Sequence, residues 1–170
     1  MIEPRAFKAA VGRFATGVTV VTTATEETVH GMTANAFASV SLDPPLVLVC
    51  ISRGAWMHDL LIHAETFAVN VLSEGQADLA SWFARPDRPL GPDQFEGIEW
   101  RAAPTSRAPL LAGVVAAFDC SVHDVLPGGD HAVVLGRVTS LEWPSDAPPL
   151  LYYQGRYGRW SPAHPGQHDG

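Results

Sequence analysis

The sequence predicts a mainly β fold, a small antiparallel barrel in Greek-key-like order with short helices at its periphery. Three observations predict it. Six or seven β-branched or apolar runs follow one another in meander-like order. Two of the longest meet at Pro127-Gly128-Gly129-Asp130-His131, a turn-rich sequence that marks a hairpin. Strict alternation of strand and helix is missing, which argues against a doubly wound parallel sheet.

The elements follow in order. Phe7, Ala10, Val11 and Phe14 recur at helical spacing after Pro4, so an amphipathic helix opens the chain and Gly17 stops it. Val18 to Thr23 is β-branched throughout and reads as a strand. Thr25 to Thr28 is a turn, and Val29 to Ala34 returns as the second strand of a hairpin. The stretch from Gly31 to Pro45 reads as a small-residue connection between two strands. Asp43-Pro44-Pro45 breaks the chain, and Leu46 to Ile51 forms an apolar strand buried on both faces. Met57 to Ala64 is a helix, Thr66 to Leu72 a strand, and Glu74 to Phe83 a short helix with Ser73 as N-cap. Residues 84–97 hold three prolines and several charges and read as a mobile surface loop. Gly113 to Leu126 and Ala132 to Trp143 make the long hairpin, and Leu150 to Tyr153 a final strand. The tail 161–170 is expected to be disordered. One domain, 1–170 with its core at about 5–160, accounts for the length.

Composition limits the function. Eighteen acidic against eleven basic side chains give 18 − 11, a formal charge of −7. That balance argues against a general nucleic-acid or anionic-membrane binder, because no basic surplus exists to neutralise phosphates. Two cysteines, no signal peptide and no long apolar run predict a soluble, cytoplasmic protein. There is no GxGxxG, no phosphate-loop signature and no GxSxG elbow. The seven histidines show no paired metal spacing, so no metal site is expected.

The informative stretch is Thr33-Ala34-Asn35-Ala36-Phe37-Ala38-Ser39-Val40-Ser41. Its small residues can bring backbone groups close to a flat ligand, with hydroxyl and amide groups at the ligand's edge. Composition alone favours an ordinary loop whose hydroxyls satisfy their own backbone.

This stretch, with Gly12-Arg13-Phe14-Ala15-Thr16-Gly17 before it and Pro44-Pro45, Gly129-Asp130-His131 and Gly155-Arg156-Tyr157 after it, resembles the short-chain flavin reductases. These are the reductase components of two-component flavin monooxygenases. The resemblance covers about residues 5–160. It implies an FMN-binding split β-barrel, a homodimer, FMN or FAD as flavin and NADH or NADPH as hydride donor. It also implies an oxygenase component that receives reduced flavin. Carried over by position, Thr33, Ala34 and Asn35 line the isoalloxazine and ribityl chain, and Ser39, Val40 and Ser41 flank the ring and phosphate. Cys50, Ile51, Ser52 and Arg53 form the turn that holds the phosphate. Phe83 covers the site, His131 stands near the nicotinamide as the catalytic candidate, and Tyr157 lies at the closing aromatic position. Plainer readings stand beside these: Cys50 as an apolar thiol, Phe83 as core, His131 as a solvated loop histidine and Arg53 as a surface charge. A non-catalytic flavin-binding module, or a split-barrel flavoenzyme with tightly bound FMN acting on another acceptor, remain the alternatives. Residues 85–89, loaded with proline, depart from the family pattern at the site entrance.

Overall fold

The computed structural model describes residues 1–161. Helix α1 (Pro4–Val11) opens the chain, followed by β1 (Thr16–Gly17), β2 (Thr19–Ala24), β3 (Val29–Ala34), β4 (Phe37–Leu42) and β5 (Pro45–Ser52). After α2 (Trp56–Ala64) come β6 (Thr66–Val71) and α3 (Ala77–Ala84). Short β7 (Trp100–Ala102) and β8 (Pro109–Leu111) lead to the long pair β9 (Ala116–Gly128) and β10 (His131–Glu142). β11 (Leu150–Tyr153) and β12 (Arg156–Arg159) pair with each other, and β1 joins them.

Seven strands form one antiparallel sheet in the order β3-β2-β6-β9-β10-β5-β4. Its two edge strands, β3 and β4, are consecutive in the chain and joined by Asn35 and Ala36 alone. Three peptide steps reach at most about 11 Å, so the two edges must face each other and the sheet must curl. No ladder links them, and the result is a barrel split between β3 and β4.

The split barrel is filled from one side and braced from the other. Met57 and Leu61 of α2 plug its interior among Val49, Ile51, Phe67 and Val134, all at most 1% exposed. Each such fully buried side chain contributes about 1.5–3 kcal/mol. Ala80 and Phe83 of α3 pack outside, against Val20, Phe95 and Leu110. Ser73 and Gln76 form a capping box ahead of α3, as the Ser73 reading anticipates.

Several expectations need correction. The first helix ends at Val11, and Gly17 lies in β1. None of its residues is buried, so this chain leaves its apolar stripe largely uncovered. β5 alternates: Val47, Val49 and Ile51 are buried while Leu46, Leu48 and Cys50 are only half-buried. It is therefore apolar on two faces but covered on one. The supposed connection from Gly31 to Pro45 contains a full strand, β4, which hydrogen-bonds to β5. Residues 84–97 are no loose loop, because Gly91, Gln94 and Phe95 are buried in a 3-10 turn. The expected disordered tail lies, after Ser161, outside the described residues. Among the described residues, no helix is long and apolar enough to cross a membrane.

Candidate functional site

The candidate residues gather at one end of β5 and along the split. The β5–β10 register sets His131 opposite Ser52 and Val133 opposite Cys50. Arg53 then leaves β5 and binds the hairpin end twice: its amide donates to the Asp130 carbonyl at 3.0 Å, and its Nε donates to the His131 carbonyl at 3.2 Å. The His131 ring is hydrogen-bonded through Nδ1 to the Asp130 carboxylate at 2.7 Å. That bond holds the Asp130 carboxyl below its usual pKa. With Nδ1 occupied, Nε2 of His131 is the ring atom free to meet a ligand.

The turn after Arg53 suits an anion. Ala55 gives α2 no side-chain cap, so the first amides of that helix lack the partner a Ser or Asp would supply. A Cβ built on Gly54 would meet nothing within 4 Å, which leaves the backbone open to approach.

Thr33, Ala34 and Asn35 border the split. Thr33 donates from Oγ1 to the Ala80 carbonyl at 2.7 Å, and the Ala34 carbonyl accepts from the Thr19 hydroxyl. The linker closes onto β5 through the Cys50 amide, which donates to the Ala36 carbonyl at 3.1 Å. Asn35, Ala36, Ala38 and Ser39 are exposed along this edge. On the far side of α3, the Tyr157 phenol is paired with Tyr152, whose ring centroid lies 5.6 Å away. Burial raises the Tyr157 pKa, while the neighbouring Ser81 hydroxyl pulls it down. Because Thr33 touches Ala80 and Tyr157 faces Ser81, α3 joins Tyr157 to the same rim.

Three expected residues stand apart. Phe83 is wholly buried against Phe95 at 5.3 Å and serves as core, so it does not cover the site. Ile51 likewise turns its side chain into the barrel and offers only backbone. Ser41 pairs with Leu46, six residues along β5 from Ser52, a separation of about 20 Å. Ser41 and Arg53 of one chain therefore do not hold the same phosphate. Ser39 and Val40 lie on the way, with Val40 at a β-bulge and exposed.

Asp130 and Ser81 join the site without a role assigned to them from sequence. Asp130 was signalled by its adjacency to His131 in a glycine turn; nothing in the sequence signalled Ser81. A cleft of about 910 Å³ lies elsewhere, between the β2–β3 turn and α2. Glu26, Glu27 and Asp59 line it, and their charge disfavours a phosphorylated ligand. A smaller one of about 500 Å³ includes Tyr157 and Arg156. The rim built from the split is the better candidate because unpaired amides, exposed small residues and Arg53 converge there.

The chain is similar to known proteins over nearly its whole length. A family model described as flavin reductase like domain matches residues 11–161. An NADH-dependent FAD reductase of Streptomyces globisporus is 48% identical over 152 residues, spanning 89% of this chain and 82% of that protein. The reductase subunit HsaB of a flavin-dependent monooxygenase from Rhodococcus jostii is 40% identical over 156 residues, spanning 92% and 77%. A solved structure of the NADH:FAD oxidoreductase SgcE6 of Streptomyces globisporus C-1027, in complex with NAD and FAD fragments, superposes with a TM-score of 0.89. That structure is 40% identical and covers 96% of this chain and 98% of its own.

Proposed function

This chain belongs to the flavin reductase like family, and from that premise we propose that it carries hydride from NADH to a flavin, FAD or FMN, as the reductase of a two-component monooxygenase. The observation that carries the reading is the rim where Arg53, the open end of α2 and His131 meet, in a chain whose relatives over nearly its whole length bear that activity in their names. The residues fit the flavin: exposed Asn35, Ala36 and Ala38 offer a flat small-residue wall, and Arg53 with the uncapped α2 amides offers a phosphate seat.

When bound, the flavin supplies the hydride-accepting ring atom and the nicotinamide the hydride. The chain's own part is to hold two flat rings in register and exclude competing geometry. Arg53 holds the phosphate end. His131, fixed by Asp130 through Nδ1, presents Nε2 to the nicotinamide as a positioning group. Asn35 and the neighbouring backbone amides steady the negative charge that develops on the ring. No acid or base is needed for the transfer itself.

The chain acts as one cytoplasmic domain and as a homodimer. The exposed stripe of Phe7, Val11 and Phe14, at 62%, 54% and 76%, favours burial against a second copy. Sedimentation of a fully active monomer at micromolar concentration contradicts the dimer. An oxygenase takes the reduced flavin. The test is NADH oxidation by the purified chain with FAD, FMN and riboflavin added in turn, followed by absorbance. Turnover dependent on added flavin supports the reductase. A chain that binds flavin but never oxidises NADH is a non-catalytic module, and flavin retained through gel filtration marks a prosthetic group.

A further inference from the structure

β3 is an open edge strand, and the segment after α3 caps it with side chains. The Gly31 amide donates to Gln94 Oε1 at 2.9 Å, and the Gly31 carbonyl accepts from Arg88 Nη2 at 2.9 Å. Gln94 Nε2 donates to the Gly91 carbonyl at 2.9 Å. These two backbone partners fix which end of the Gln94 amide is nitrogen, since the flipped amide would set donor against donor and acceptor against acceptor. The second hydrogen on Gln94 Nε2 therefore goes to His30 Nδ1, 2.7 Å away. His30 is 2% exposed, its Nδ1 is an acceptor, and its ring proton must sit on Nε2.

Among the described residues that Nε2–H has no acceptor. What it faces is another donor, Arg88 Nη2, at 3.5 Å. Arg88 Nε is also buried without a partner among the described residues. Nε and Nη2 form one edge of the planar guanidinium, the edge that grips two oxygens side by side. Arg88 forms no ion pair among the described residues, while the adjacent Asp87 is taken by Arg85 at 2.8 Å. Arg88 Nη1 and Nη2 each bind one carbonyl, those of Arg85 and Gly31, but its Nε and the buried His30 N–H converge with no acceptor, and the cation with no countercharge, among the described residues, which is costly. A water could accept from both but would leave the charge unbalanced.

We infer that Arg88 and His30 form a binding position for a phosphate group, the guanidinium edge gripping two oxygens and His30 Nε2–H a third. The source of that phosphate rests on the reductase reading. His30 lies three residues before Thr33, about 10 Å along β3. Its ring also packs edge-on against Trp56, at 4.8 Å, the first residue of α2 and three after Arg53. A dinucleotide with its reactive ring at the split can place its pyrophosphate there, whether that of FAD or that of NADH.

The experiment uses the full chain, wild type beside Arg88→Met and Arg88→Lys. Inorganic phosphate is titrated while thermal stability and the ¹⁵N shift of His30 Nε2 are followed. Saturable stabilisation and a moving His30 signal in wild type, lost in Arg88→Met and partly kept in Arg88→Lys, are expected. Dissociation constants for FAD and FMN, and KM for NADH and reduced nicotinamide mononucleotide, identify the source. About a tenfold loss in Arg88→Met for FAD alone assigns the flavin, and for NADH alone the nicotinamide. Phosphate binding without either loss assigns free phosphate. If Arg88→Met fails to fold, the wild-type His30 signal decides. A His30 signal and a melting temperature indifferent to phosphate overturn the inference. Absence of any NADH oxidation overturns the reductase reading and leaves the phosphate result standing.

Discussion

Arg53 donates from Nε to the main-chain carbonyl of His131 at 3.2 Å, so the proposed phosphate ligand and the proposed nicotinamide ligand are mechanically joined. One end of the guanidinium braces the β9–β10 turn and leaves the Nη groups for an anion. The two expected roles therefore do not vary independently.

Arg53→Ala weakens FMN by about tenfold or more and leaves riboflavin, which has no phosphate, nearly unchanged. The same variant raises KM for NADH, because the carbonyl brace is gone. Arg53→Lys restores most of the FMN affinity through its charge but not the NADH term, since a lysine cannot reproduce the side-on Nε bond. Titration of both flavins and steady-state kinetics supply the readings, and equal weakening of the two flavins puts the phosphate elsewhere.

His131→Ala lowers kcat/KM for NADH by about tenfold while flavin affinity holds. Asp130→Asn produces a smaller loss in the same direction, because it removes the carboxylate that orients Nδ1. NADH kinetics unmoved by either change return His131 to a solvated turn.

Gly136→Ala destabilises the fold without touching the rim. A Cβ there would stand 2.4 Å from Cζ of Phe67, which is wholly buried, and 3.1 Å from Cβ of Cys120. Such overpacking costs about 1–3 kcal/mol. For a chain of this size that lowers the melting temperature by roughly 2–4 °C per kcal/mol, read by calorimetry.

His30 makes stability fall with acid. Burial first, and the Arg88 charge second, lower its pKa from 6.5 to about 4. The unfolded chain takes up a proton near pH 6.5 and the folded chain only near pH 4, so acidification through that window favours unfolding. Urea unfolding across it should show a steeper loss for wild type than for His30→Leu. Parallel slopes would remove His30 from the acid response.

Much of this fold is legible in the residues. The Val18–Thr23 run and the Pro-Gly-Gly-Asp-His turn carry enough β-branching and turn chemistry to place β2 and the β9–β10 hairpin. β4 is hidden because Ala38, Ser39 and Ser41 give an edge strand no apolar alternation. The buried character of Gln94 is hidden among prolines and charges, because its partner is the backbone of a strand some sixty residues away. The site divides the same way. Arg53 and His131 come from sequence motifs and lie against each other at the end of β5, whereas the burial of Phe83 and the distance from Ser41 to Arg53 follow from how the sheet curls, which no local pattern records.

The two-residue tether between β3 and β4 has a consequence for release. Asn35 and Ala36 are too short to let the joined ends of the two edges part by more than a few ångströms, so at that end the slot has a fixed maximum gape, set covalently. A reductase that delivers its product to another protein must therefore let flavin out by moving what lies over the slot rather than the slot itself. Two candidates for that movement are the Arg85–Phe95 segment, held to β3 by side chains alone, and the second copy of the proposed dimer. Lengthening the tether by two or three glycines would convert a shutter problem into a hinge, and the off-rate of reduced flavin would report which of the two governs delivery.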